Sequence, residues 1–180
     1  MNVVSVVLAS TASAYLLSAI VWAARRKPGY SHVKQTISEL AEYGSKHAWL
    51  VSVGVFLPVG AVLAVVAWQQ HSSDNPVALL AISIATGYVT SAIFPCDPGS
   101  PMLGSFRQAV HNLGGGIQYV GGALSLLWIS ETAGPVFRAI GLLIGACAVL
   151  LSFESQFRGI IQRLAETCLF SGLIARLLVT

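Results

Sequence analysis

Phe94-Pro95-Cys96-Asp97-Pro98-Gly99-Ser100-Pro101 packs three prolines, a glycine, a thiol and a carboxylate into eight residues of a chain that is otherwise made of long apolar runs. Proline lacks a backbone N–H and fixes φ, so no helix passes through this stretch, and Asp-Pro-Gly is a turn signal. The stretch therefore closes one apolar segment and opens another. Upstream, Pro76 to Phe94 reads as a helix started by Pro76, with Asp74 or Asn75 as its cap. Downstream, Ser105 or Ser100-Pro101 caps a run from Phe106 to Ser130. Each run is close to the 20 or so apolar residues that cross a bilayer.

The rest of the chain repeats the pattern. Asn2–Ala24, His47–Trp68, Val136–Phe153 and Ile160–Val179 are further apolar runs, with Pro58 expected to kink the second of them. Hydrophobic residues make up 55% of the 180 and charged residues 9%, which excludes an ordinary soluble domain and makes nucleic-acid binding improbable. The expected fold is all-α: a polytopic membrane protein of six transmembrane helices in one bundle, filling residues 1–180 as a single domain. The longest polar connection, Pro28 to Lys46, is expected to hold a short interfacial helix after helix 1. There Thr36 and Glu39 form a capping box, Ile37 and Leu40 an apolar stripe, and Gly44 a stop.

Basic residues set the orientation. Arg25, Arg26, Lys27, Lys34, Lys46, Arg107, Arg158 and Arg163 cluster at the connections after the first, third and fifth runs, against Arg138 and Arg176 on the other side. By the positive-inside rule those connections face the cytoplasm and both termini lie outside. Positive charge follows the first run rather than preceding it, so that run reads as an uncleaved span. Trp22, Trp49, Trp68 and Trp128 fall near span ends, as an aromatic belt requires. Cys96, Cys147 and Cys168 show no paired or metal-type spacing.

The candidate site follows from one-sidedness. His32, Glu39, Asp97 and Arg158 sit on the basic-side connections, while His111, Asn112, Gln118, Gln162, Arg163 and Glu166 lie slightly deeper. At about 1.5 Å per residue, His111 and Glu166 are roughly 8 to 10 Å inside their helices. Ionisable groups at that depth are candidates for function. His111, Asp97, Glu166 and His32 are the candidate acid and base groups. Arg163, Gln162, Asn112, Glu39, Arg158 and Gln118 are the candidate binding groups, with Arg163 and Arg158 presenting forked donors to an anionic or polar head.

Plainer roles stand beside these. Arg163 and Glu166 are spaced to pair with each other. His111 is equally a core histidine bonded to Asn112 or to a backbone carbonyl. Asp97 is equally a turn cap, and beside Cys96 its charge argues against an activated thiolate. His32, Asp97, His111 and Glu154 have metal-ligand chemistry but no ligand spacing, and no metal or cofactor is assigned.

The ordered set Ser31-His32, Thr36-Ile37-Ser38-Glu39-Leu40, Phe94-Pro95-Cys96-Asp97-Pro98-Gly99, His111-Asn112 with its glycines, and Gly159-Ile160-Ile161-Gln162-Arg163 resembles the small bacterial integral-membrane family catalogued as domain of unknown function 998. That resemblance implies six helices and a bacterial cytoplasmic (inner) membrane, and carries no activity. The leading expectation is a cytoplasmic-side polar pocket that binds a lipid or other amphiphilic small molecule and transforms it by acid/base chemistry. A small transporter or channel is the second, and an accessory subunit packing through Gly141 and Gly145 the third. Membrane lipids are the expected surroundings, and a homo-oligomer is left open.

Overall fold

A computed structural model describes residues 2–179, and among them every regular element is helical. Six rods follow one another: α1 (Val3–Ala24), α2 (Ala48–Gln70), α3 (Asn75–Ile93), α4 (residues 106–133), α5 (Pro135–Leu151) and α6 (Arg158–Val179). They reproduce the six expected runs to within about three residues at each end, the usual uncertainty of helix boundaries. Helices α1, α2 and α3 are long and apolar enough to cross a membrane. Helix α5 is shorter at 17 residues, and the other two carry polar faces: Arg107, Gln108, His111 and Asn112 open α4, and Arg163 and Glu166 interrupt α6.

Each rod packs on its neighbours in sequence, and α6 returns to α1, so the rods close a ring. Helices α3 and α6 also touch across the ring, dividing it into two lobes. Leu80, Ile84, Leu126, Ile129, Leu169, Leu173 and Leu177 fill the centre and are essentially inaccessible. Trp49, Trp68 and Trp128 point outward, as belt residues do.

The connection between α4 and α5 is a single residue. Gly134 caps the end of one helix and the start of the next at φ +103°, a conformation that residues with a Cβ avoid. Pro135 then starts α5 with φ already fixed.

The interfacial helix expected after α1 is instead one buried 3₁₀ turn, Ser38–Ala41. Its capping box does form: Thr36 N–H donates to Glu39 Oε1 at 2.8 Å and Glu39 N–H donates to Thr36 Oγ1 at 3.3 Å. All four residues of the turn are buried within the protein.

Pro58 was expected to kink α2, and the helix answers it with a π turn, Ser52–Phe56, immediately before. Proline cannot donate to the carbonyl four residues back, which here belongs to Gly54. That carbonyl accepts instead from the Tyr15 hydroxyl of α1 at 2.5 Å. The proline thus creates an acceptor on α2 that holds α1 against it. Tyr15→Phe should lower stability by about 1 kcal/mol, measured by reversible unfolding in mixed micelles. The loss should shrink in a Pro58→Ala background, where the restored N–H satisfies Gly54, and equal losses in both backgrounds would refute the link.

Candidate functional site

The connections on the basic side are bonded into one cap. Tyr43 N–H donates to Cys96 O at 2.8 Å, Gly99 N–H donates to Glu42 Oε2 at 3.0 Å, and Ile160 N–H donates to Val33 O at 3.1 Å. Lys27 pairs with Glu42 at 2.7 Å and also donates to Glu39 O. Arg107 lies 3.7 Å over the Tyr43 ring, and Asp97 accepts from Arg107 at 2.5 Å.

Beneath this cap sits a buried carboxylate. Glu166 of α6 is 7% exposed, with three donors around it. Tyr88 of α3 donates to Oε2 at 2.8 Å, while Gln118 at 2.7 Å and Tyr119 at 2.8 Å, both of α4, donate to Oε1. Adjacent residues of an α-helix do not face one way. Here α4 passes through a π turn, Ile117–Gly121, which re-aims two consecutive side chains at one oxygen. Room for Gln118 comes from Gly87, where a Cβ would collide with its amide.

Two cavities flank this group. A cleft of about 510 Å³ runs between α1 and α6, walled by Leu16, Leu17, Ile20, Phe170 and Ile174, with His32, Arg163 and Glu166 toward the capped end. A polar chamber of about 180 Å³ lies on the other side, bounded by α3, α4, α5, α6 and the cap, and includes His111, Asn112, Gln118, Tyr119, Arg158 and Gln162. Glu166 thus lines the cleft, while two of its donors line the chamber.

The expected site residues divide accordingly. His111 donates through Nδ1 to Phe94 O at 3.0 Å, because a carbonyl can only accept, leaving Nε2 as the other ring nitrogen. Gln108 donates to Asn112 Oδ1 at 2.7 Å, and Asn112 in turn donates to Pro101 O and Met102 O. Gln162 accepts Ile37 N–H at 2.5 Å. The Arg158 side chain forms no ion pair or hydrogen bond among the described residues, and its Nε is buried without a partner.

Four expectations need correction. The single expected pocket is two cavities with Glu166 at their partition. Asp97 lines neither. Its carboxylate accepts from Ser105 N–H and Ser105 Oγ, both at 2.8 Å, as well as from Arg107, so it clamps the start of α4 and is not bonded to His111. Glu39 is spent on Thr36, also outside both cavities. Arg163 borders the cleft but does not pair with Glu166. Its guanidinium donates to His32 O at 2.8 Å, Gln35 O at 3.0 Å, Gly159 O at 2.9 Å and the Tyr30 hydroxyl at 2.6 Å, tying the first connection to α6.

The capped connections also tune their own titrations. Bonds from Ser105, then Arg107, hold the Asp97 carboxyl below its usual range. Loss of solvation and the nearby Arg163 lower the His32 pKa, which keeps the ring neutral near pH 7. Cys96 is fully buried, and burial first, then the Glu42 charge, pushes its thiol up to about 12. It is no thiolate nucleophile. Among the described residues no three His, Cys, Asp or Glu side chains gather as a metal site.

A family model described as "Protein of unknown function (DUF998)" matches residues 10–179. The chain belongs to the DUF998 family. No curated protein and no solved structure matches it. The match takes in all six rods, so the buried carboxylate and both cavities of this DUF998 chain lie inside the matched region. Tyr88 and Tyr119, absent from the sequence-based site, are the residues its reading missed. The available signal was the burial of Glu166 itself, since a carboxylate in an apolar helix needs donors from neighbouring helices.

Glu166→Ala should therefore destabilise this DUF998 protein by roughly 2–3 kcal/mol, three donors losing their acceptor, and Glu166→Gln by less. Unfolding of Glu166→Ala at the wild-type midpoint would show that the donors find other partners. Asp97 gives a pH signature. Its folded pKa lies below the unfolded value of about 3.9, so its contribution is present above that pH and fades as pH falls through the folded value. Asp97→Asn should flatten the acid limb of a stability profile below about pH 4, and a parallel curve would contradict the clamp.

Proposed function

We propose that this DUF998 chain crosses a bacterial cytoplasmic membrane six times, with its capped face inward, and that the cleft between α1 and α6 binds an amphiphile. The observation that carries this reading is the polarity of the cleft. Its walls are aliphatic and aromatic, and its imidazole, guanidinium and carboxylate lie toward the capped end. Thr167 and Ser171 also line it, but their hydroxyls donate back to Arg163 O and Cys168 O, so the wall stays apolar. A volume near 510 Å³ falls within the roughly 300–1,000 Å³ of small-molecule sites. A lipid tail along Leu17 and Phe170 with its head near His32 matches that gradient, and Arg163, held by carbonyls, shapes this end instead of gripping the head.

Acid/base chemistry on the bound head is the second reading. It is favoured by His32 and Glu166, a base and a carboxyl group, lining the same cleft. The His111–Asp97 pairing plays no part in it.

Ser171 is exposed to the cleft, so Ser171→Trp should fill it without disturbing the core. Native mass spectrometry of delipidated protein should find a stoichiometric amphiphile on the wild type and several-fold less on the variant, at matched thermal stability. Equal retention by the two proteins would reject the cleft as the site. If turnover of the retained molecule is seen, His32→Ala should abolish it while leaving retention intact.

A further inference from the structure

The geometry points to the polar chamber as a second binding site, for a small oxyanion of the phosphate type, with Arg158 as its main ligand. The chamber is distinct from the amphiphile cleft and stands whether or not the cleft is occupied.

Four observations carry this. First, the chamber lining holds Arg158, His111 and the hydroxyls of Ser38, Ser100 and Ser152, but no Asp or Glu. A cavity lined by a guanidinium and no carboxylate selects against cations and favours an anion. Second, Arg158 is the one lysine or arginine in the chamber lining. Lys27, Arg107 and Arg176 have carboxylate partners and Arg163 has carbonyls, whereas Arg158 has neither among the described residues. Its Nε is shut off from solvent and unbonded. Its Nη atoms have no protein partner among the described residues and remain open to solvent or a ligand, and a forked contact to a tetrahedral oxyanion would occupy them.

Third, the neighbouring amides and imidazole are held in place by bonds to the rest of the fold. Gln162 is held by the Ile37 N–H on its Oε1, which leaves its amide NH₂ on the chamber side of that bond. Asn112 is oriented by Gln108 and two loop carbonyls. His111 is oriented by Phe94 O and lines the chamber. Fourth, Ser100 is buried in this wall at φ +47°, a left-handed conformation that serine rarely adopts. Local strain of this kind persists where the surroundings impose a position.

At about 180 Å³ the chamber is below the size of a drug-like site, which fits a free phosphate or a single phosphate headgroup and excludes an acyl chain.

The two sources are separated by working in maltoside detergent, which brings no phosphate. In one arm inorganic phosphate is titrated against chloride at equal ionic strength, and in the other phosphatidic acid is added as mixed micelles. A rise in the thermal unfolding midpoint with inorganic phosphate assigns the site to the free anion, and a rise with phosphatidic acid alone assigns it to a headgroup. Either rise supports the site if Arg158→Gln weakens the apparent affinity about tenfold or more and Ser152→Asp, which supplies the chamber with its own carboxylate, removes the response while the variant still unfolds cooperatively. Ser171→Trp in the cleft should leave the response intact, so failure of the cleft and failure of the chamber read differently. No rise for the wild type in either arm, or the same rise in Arg158→Gln and Ser152→Asp, would overturn the assignment.

Discussion

The carboxylate of Glu166, enclosed by Tyr88, Gln118 and Tyr119, sets the terms for the rest of this fold. Removing such a group from water is costly unless donors replace the lost solvation. Here they arrive from two other helices, so satisfying one side chain requires α3, α4 and α6 to meet at one depth. That requirement explains local features that look unrelated. The π turn of α4 aims two successive residues at one oxygen, Gly87 clears the path of one of them, and α3 and α6 touch across the ring where an apolar bundle would have no reason to prefer that register.

The same group separates two environments. On the cleft side its neighbours are leucine, isoleucine and phenylalanine, and on the chamber side they are hydroxyls, amides and a lone guanidinium. A carboxylate shared between a greasy wall and a polar wall gives the two halves of the protein a common element. The partition is thin, consisting of the Gln118 and Tyr119 side chains and the carboxylate they bond.

The helical layout was legible because it depends on run length and on punctuation. Pro76, Pro135 and the 94–101 stretch mark helix starts and breaks whatever the tertiary packing does, and Ser105 caps α4 as expected, accepting Gln108 N–H at 3.3 Å. The Thr36–Glu39 box was readable for the same reason, being local. Gly141 does lie against α4 at Ala123 as a packing motif predicts, but Gly145 meets nothing, since α5 diverges from that neighbour. The site was only half legible. Charge and depth selected Glu166, His111, Gln118 and Gln162, which line the two cavities, and equally selected Asp97, Glu39 and Arg163, whose charges serve backbone groups in the cap. Sequence marks a side chain as needing partners without saying whether a substrate or a carbonyl supplies them. Tyr88 and Tyr119 escaped notice because a tyrosine in an apolar run looks like core until the acceptor beside it is known.

Gly134 has a mechanical consequence. With one residue joining them, α4 and α5 are pinned together at that end like the arms of a clothes peg, and no sliding or separation is available there. Any widening between the two arms is confined to the opposite end, where α5 finishes at Leu151 and the 152–157 connection is exposed. Ser152 and Arg158 stand at that mouth.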